Sequence, residues 1–504
     1  RSFVDSRTYD GFRKVVEREF SEIYIVDLGG DVRANTKLSG TKHNVFGIQT
    51  GVAISFLVKR KKAQGCRIFY ARRPELETAE EKLEFLGDAK LPKIEFEEIQ
   101  PDARHNWINL TQNDFESLIP IATKETKAAK RPSQEKAIFK LFSLGVVTNR
   151  DEWVYDDAPE SLEAKVRYLI DAYNADVKKL SADRGSDNLA DLLDTSIKWT
   201  RAVKNDLRKG TAYRYSRGSV QESYYRPFVK KCMYLDRHLN EMLYQIPQLF
   251  GPNAGPNKAF CFAAEERSEF GVIALNELPN KDVFMPSAAQ VLALYRYDEH
   301  GQRYDNITDW SLEQFRKHYQ PGRGKKAQPI SKDDIFHYVY AVLHDPVYRE
   351  KYAQNLKREF PRIPFYADFW QWANWGRELM ELHIGYESVE PWSLTRTDAA
   401  EDGHTPKAML KADKENGCIL LDSRTALTGI PPAAWAYKLG NRSALEWILD
   451  QYKEKKPKDP TIREKFNTYR FADYKEKVID LLCRVTTVSV RTQAITDGMK
   501  SASR

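Results

Sequence analysis

The stretch Thr41–Arg60, "TKHNVFGIQTGVAISFLVKR", decides how the start of this sequence is read. Its second half, "GVAISFLVKR" (51–60), has the apolar run of a buried strand. Its first half is polar and sets Phe46 directly ahead of Gly47. The residues alone leave two readings open. Phe46 is either an ordinary core aromatic at the mouth of a strand, or a ring displayed there with Gly47 leaving its flank open.

The surrounding sequence supplies a frame. Residues 8–20 carry Tyr9, Phe12, Val15, Val16 and Phe20 at helical spacing. "IYIVDLGG" (23–30) reads as a short buried strand ended by two glycines, and "RIFYARR" (67–73) as a further strand. Helix, strand, loop and strand in this order is α/β grammar. The set is too small for a doubly wound sheet, and the chain opens with Arg1. It is expected to be a fragment of something longer.

From about 74 to 135 the chain turns polar, which predicts a small helix, a connector and a solvated basic segment. Residues 160–210 read as helical, with "SLEAKVRYLIDAYNADVKKL" (161–180) the clearest amphipathic case. Residues 220–300 are rich in strand and turn signals. The loop "QPGRGKKAQP" (320–329) marks a subdomain boundary near 325. Helical patterning resumes over 331–386, broken by the prolines of "FPRIPFYADF", and two more helices are expected within 446–484. There is no internal repeat.

At 504 residues the chain should hold two or three domains. Its formal charge of +7 permits an anionic partner without requiring one. The five cysteines include no C-x-x-C pair, which argues against a zinc ribbon or a disulfide scaffold and suits a reducing cytoplasm. No apolar run approaches the roughly 18 residues of a membrane span.

Several motifs are missing or broken. No glycine-rich turn after a first strand offers a cradle for a methyl donor or a dinucleotide. Gly322-Arg323-Gly324 sits in a polar loop and reads as linker. There is no phosphate-binding loop and no H-E-x-x-H, and His344 and His383 read as satisfied structural histidines. "DPVY" (345–348) resembles the [DN]-P-P-[YF] loop of amino-methyltransferases, but Val347 breaks the tandem proline. A metal-dependent nuclease built on Asp102, Glu125 and Lys127 would need carboxylates converging from adjacent strands, and "ATKETKAAK" (122–130) is not strand-like.

Charge is more informative. Residues 201–231 hold nine basic side chains against two acidic ones, a surplus equal to that of the whole chain. Arg201, Lys204, Arg208, Lys209, Arg214, Arg217 and Arg226 are the candidates for nucleic-acid contact, with Tyr213, Tyr215, Tyr224 and Tyr225 interleaved. Cations neutralise phosphates, and tyrosines add hydrogen bonds or stacking. The plain alternative is a solvated basic helix face. "VVTNRDEWVY" (146–155) is a second candidate, because Asn149 and Arg150 are side chains that pair with adenine and guanine edges. Its plain alternative is a turn closed by Asn149 or Asp151.

From Val26 to Arg60 the sequence resembles the second half of a gamma-type adenine-amino DNA methyltransferase domain. The resemblance continues through "TNRDEWVYD" (148–156), "YRPFVKKCMYLD" (225–236), the long block 331–369 and "LHIGYESVEPW" (382–392). Together these blocks resemble the C-terminal part of Type ISP restriction–modification enzymes, in which one polypeptide carries nuclease, translocase, methyltransferase and target-recognition parts.

The resemblance implies a fold class: a partial α/β methyltransferase sheet followed by a large α+β target-recognition region with a helical C-terminal part. The expected divisions are 1–75 for the methyltransferase half, 76–140 for a connector, and 141–325 and 326–504 for the two target-recognition parts. The implied function is recognition of double-stranded DNA and positioning of an adenine for N6 methylation. A stand-alone specificity subunit is the alternative. S-adenosylmethionine would be held mainly by the missing N-terminal part, and ATP and Mg²⁺ belong only to the full-length enzyme. Phe46 would stack on the flipped-out base, with His43 or Asn44 touching base or sugar.

Overall fold

The computed structural model describes residues 1–31, 41–108, 113–182, 193–263, 269–319, 328–400 and 403–504. The chain divides into two compact units, Arg1–Asp114 and Phe115–Arg504.

In the first unit, helix α1 (Asp10–Glu19) leads into strand β1 (Glu22–Gly29). Strands β2 (Val52–Val58) and β3 (Arg67–Arg72), helix α2 (Ala79–Asp88) and strand β4 (Glu97–Ile99) follow. The sheet order is β2-β1-β3-β4, with β2 antiparallel and β3 parallel to β1. Ile23 and Ile25 alternate along β1 into a small core with Val4, Val16, Ile68 and Trp107. The buried Asp27 carboxylate accepts from Arg1 Nε at 2.8 Å and from the Tyr70 hydroxyl at 2.6 Å, so its charge is paired.

Helix α1 differs from its sequence reading. Tyr9, Phe12 and Val15 point outward, at 41, 47 and 48% exposure. The inner face is taken by Val16 and by the fully buried Arg13, which donates to the carbonyls of Phe3, Ser6 and His105. Strand β2 lies at the sheet edge with Phe56 and Leu57 exposed.

The stretch 76–140, read from its polarity as a connector, is folded. Thr78 caps α2 in a reciprocal box with Glu81, and β4 pairs with β3. From Phe115 onward the chain joins the second unit, where Ile119–Pro120 pairs with Arg362–Ile363 and Ile121, Ile138 and Phe139 are buried.

The second unit contains helices α3 (Pro159–Ala182) and α4 (Arg201–Arg208) and the hairpin β5 (Val220–Arg226) and β6 (Val229–Tyr234). Its central sheet is β7 (Ala259–Ala263), β8 (Val272–Leu275) and β9 (Ala289–Ala293), in the order β8-β7-β9 with Ser143–Leu144 at one edge. Both faces of this sheet are covered. Phe260 and Phe262 enter one core, while Ala259, Cys261 and Ala263 enter another. This explains the unbroken apolar run in the sequence.

Helices α5 (Lys332–Val342) and α6 (Phe369–Ile384) cover the phenylalanine face. They approach closely at Gly376, where a Cβ would lie 1.8 Å from the His337 carbonyl oxygen. The other face meets α7 (Ala444–Gln451) and α8 (Phe471–Lys500), which follow an antiparallel sheet. That sheet consists of β10 (Thr395–Asp398), β11 (Ala408–Asp413), β12 (Cys418–Asp422) and β13 (Thr425–Thr428), in the order β10-β13-β12-β11. The sequence reading had this part as mainly helical. Strands such as "TRTD", exposed along their length, carry no apolar alternation to reveal them. The expected boundary near 325 lies outside the described residues.

The two histidines are both buried. His383 Nδ1 takes the Tyr340 hydroxyl at 2.6 Å, and its Nε2 donates to Thr492 Oγ1 at 2.8 Å. Burial, helped by the Arg349 cation, pushes His383 down to about 3. His344 Nδ1 donates to the Tyr340 carbonyl at 2.8 Å, but its buried Nε2 has no partner, so only His383 is fully satisfied. Asp345 of the "DPVY" stretch caps a short helix at Val347 N–H and pairs with Arg504 at 2.7 Å. Among the described residues no helix is long and apolar enough to cross a membrane.

Candidate nucleic-acid interface

Phe46 is 72% exposed, so the core-aromatic reading fails. The loop that carries it is tightly held. Asn44 is buried, and its Nδ2 donates to the carbonyls of Thr50 at 2.7 Å and Gly30 at 3.2 Å. Its Oδ1 accepts from the Phe46 N–H at 3.0 Å. His43 is buried too, with Nδ1 donating to the Glu77 carbonyl at 3.1 Å, while its own carbonyl accepts from buried Lys82 at 2.7 Å. His43 and Asn44, read as candidate base or sugar contacts, instead brace the loop. Gly47 has φ +63 with open space where a Cβ would be, so the turn needs glycine for its backbone angle. Ile48, at 47% exposure, is displayed beside Phe46; the sequence reading missed it.

In the second unit, α4 buries Val203 and Leu207 under its inner face and turns Arg201 and Arg208 outward. Arg201 pairs with Glu241 at 3.3 Å. Lys204, Lys209, Arg214 and Arg217 have no ion-pair partner among the described residues, and Lys209, Arg214 and Arg217 are exposed. Arg226 lies apart from this face. It is buried, with Nη1 donating to the Tyr225 carbonyl at 2.5 Å. Lys230 and Lys231 are held by Glu387 and Asp157.

The interleaved tyrosines act as props. Tyr213 stacks on Tyr173 at 3.9 Å and donates to Asp206, which with burial pushes its phenol far up. Tyr215 stacks on Tyr234, and Tyr224 is buried.

The segment 146–155 meets this face. Arg150 Nη2 donates to Thr200 Oγ1 at 2.6 Å, one residue before α4. Thr148 and Asp151 close the turn by a hydroxyl–carboxylate bond, leaving Asn149 exposed at φ 53 with no hydrogen bond to its carboxamide. Arg150 is 2% exposed, and its Nε and Nη1 have no partner. Burial lowers its pKa to about 10, so it remains a cation at neutral pH. A cavity of about 550 Å³ borders Asn149 and Arg150 and is flanked by Lys198, Lys281 and Lys458. Those three lysines come together from distant parts of the sequence, and no local pattern announces them.

The nuclease residues are otherwise occupied. Asp102 accepts from the backbone N–H groups of Arg104 and Asn106 in a turn of the first unit. Glu125 and Lys127 belong to the second unit, where Lys127 donates to the Phe142 carbonyl. Among the described residues no three His, Cys, Asp or Glu side chains group to hold a metal.

A small α/β sheet followed by a layered α+β body with a basic face defines a mixed α/β specificity module. The chain belongs to the family of Type ISP C-terminal specificity domains, whose model matches residues 137–481. It is similar to the DrdV chain in a cryo-EM DrdV–DNA complex, with 48% identity and a TM-score of 0.89, over 99% of this chain and 49% of that one. It is also similar to a nuclease-deletion mutant of the Type ISP restriction–modification enzyme LlaGI in complex with a DNA substrate mimic. That match has 28% identity and a TM-score of 0.83, over 99% of this chain and 38% of that one. The ATP-dependent Type ISP enzyme LlaBIII, bound to DNA, matches at 25% identity with a TM-score of 0.84, over 100% of this chain and 32% of that one. The chain thus spans about half or less of these relatives. No protein with a curated description matches it.

Proposed function

We propose that this chain recognises duplex DNA as the specificity part of a Type ISP restriction–modification enzyme, and that it positions an adenine for N6 methylation. The observation that carries this reading is the face made by Lys204, Arg208, Lys209, Arg214 and Arg217, whose charges have no carboxylate partner among the described residues. Unpaired cations in a row suit a phosphate backbone, which binds by releasing counterions. The similar DrdV, LlaGI and LlaBIII structures all hold DNA or a DNA mimic.

The first unit takes the role of a methyltransferase-sheet remnant. Its edge strand β2, with Phe56 and Leu57 uncovered, suits a place inside a wider sheet. Phe46 stacks on the extruded adenine. Unstacking a base costs a few kcal/mol, and an aromatic face returns about 1–3 kcal/mol. The methyl donor, S-adenosylmethionine, is assigned to a part of the longer enzyme outside this chain. The Gly29–Gly30 turn after β1 does not fit it, because a Cβ at Gly30 would lie 2.5 Å from the His43 carbonyl oxygen and the chain itself fills the space. ATP and Mg²⁺ belong with the same absent parts; LlaBIII is ATP-dependent. The five free cysteines suit a cytoplasmic setting.

The test is the salt dependence of duplex binding. With Arg208, Lys209, Arg214 and Arg217 changed to alanine, the slope of log K against log salt should shrink by up to about 3–4. An unchanged slope would move the DNA surface elsewhere.

A further inference from the structure

We infer that the cavity beside Asn149 and Arg150 seats a single DNA phosphodiester, anchoring the duplex beside the basic face. This rests on the reading of the chain as a DNA-recognition protein and adds a contact point to it.

The inference starts from Arg150. A guanidinium with two unpartnered nitrogens, 2% exposed and without a bonded carboxylate, is costly to keep unless something outside the chain completes it. Thr200 fixes its position through Nη2, so the cation is held in place at the cavity wall.

The carboxylates around the cavity are already committed. Asp151 accepts from the hydroxyls of Thr148 and Tyr225. Glu152 accepts from the backbone N–H groups of Lys458 and Asp459, both at 2.8 Å. Asp459 takes the Trp153 indole N–H at 2.8 Å and the N–H groups of Thr461 and Ile462. Asp282 faces Lys281 at 3.4 Å.

The donors are left over. Lys198 and Lys458 are exposed and have no ion-pair partner among the described residues. The cavity therefore offers spare donors and few spare acceptors, which fits a ligand made of acceptors. Phosphodiester oxygens are such a ligand. Lysine ammonium groups at a rim are flexible, hydrated point charges, better matched to phosphate than to the planar edge of a base.

The experiment uses the 504-residue chain and a labelled random-sequence duplex, titrated across about 50 to 200 mM salt. The double change Lys198→Ala with Lys458→Ala removes only exposed side chains, so the fold should survive. The salt slope should shrink by about 0.9, as for one phosphate, and equally on every sequence. Lys411→Ala, exposed on strand β11 and away from the cavity lining, should leave the slope alone. An unchanged slope in the double variant overturns the inference while the DNA reading stands. So does an unchanged slope with lost discrimination between a selected duplex and a random one, which would make the cavity a base reader. A stabilising effect of inorganic phosphate on the wild type, absent in the variant and without a slope change, would assign the cavity to free phosphate and overturn it too. A wild-type chain that binds no duplex at all overturns both readings.

Discussion

Phe46 and Asn44 are two residues apart and have complementary roles, since the ring is displayed and the amide keeps it so. Phe46→Ala should cost the longer enzyme methylation of its target, because the extruded base loses its stacking face, about 1–3 kcal/mol or roughly 5- to 150-fold in rate. The melting temperature should stay put, since a side chain 72% exposed contributes little packing. Methyl-transfer assays and thermal denaturation check both halves; a large loss of stability with normal methylation would assign the residue to the core. The aromatic before a glycine was legible in the sequence. The bracing by Asn44 was not, because its partners at Gly30 and Thr50 depend on how the loop closes.

At the scale of elements, α5 and α6 pack through a missing side chain. Gly376→Ala would place a methyl 1.8 Å from the His337 carbonyl oxygen and force the helices apart. The expected loss is about 1–3 kcal/mol, the cost of overfilling a packed core, and chemical denaturation measures it. A variant as stable as the wild type would mean the helices part freely. The sequence showed both helices through their periodicity and the first through its Ser331 cap, but glycine within a helix pattern does not say which backbone it meets. The basic stretch was legible as charge, and its division into exposed cations and buried Arg226 was not. That division depends on where β5 runs. Arg226, the last residue of β5, is buried where the strand turns into the hairpin toward β6. Likewise the sheet β10–β13 was invisible because its strands are short and largely wet, whereas β7 gave itself away by a fully apolar run.

The whole second unit should respond to acid through its buried imidazoles. His383 is held neutral, at about 3 in the folded chain against about 6.5 when free. Between those values the unfolded chain binds a proton that the native chain refuses. Stability is therefore fully present above about pH 6.5 and falls as pH drops through this window, by about 1.4 kcal/mol per pH unit for this one group. His344, lowered by burial as well, adds to the same trend. Melting temperatures between about pH 6.5 and 5, above the range where free carboxylates titrate, should decline in the wild type and decline less steeply in His383→Gln. Equal slopes would remove His383 from the account. Layer order explains the location: these imidazoles lie where α5, α6 and α8 meet, and no water can reach them to carry the charge.

The two-faced strand β7 has a consequence for how such proteins can diversify. Its odd and even residues serve differently sized interiors, alanine and cysteine on one side and phenylalanine on the other. Inserting or deleting one residue in Ala259–Ala263 would exchange those sides and jam rings into spaces shaped for methyl groups. Heritable change in target preference is therefore barred from this ribbon and must accumulate in the surface segments that surround it, where length and identity vary without disturbing either interior.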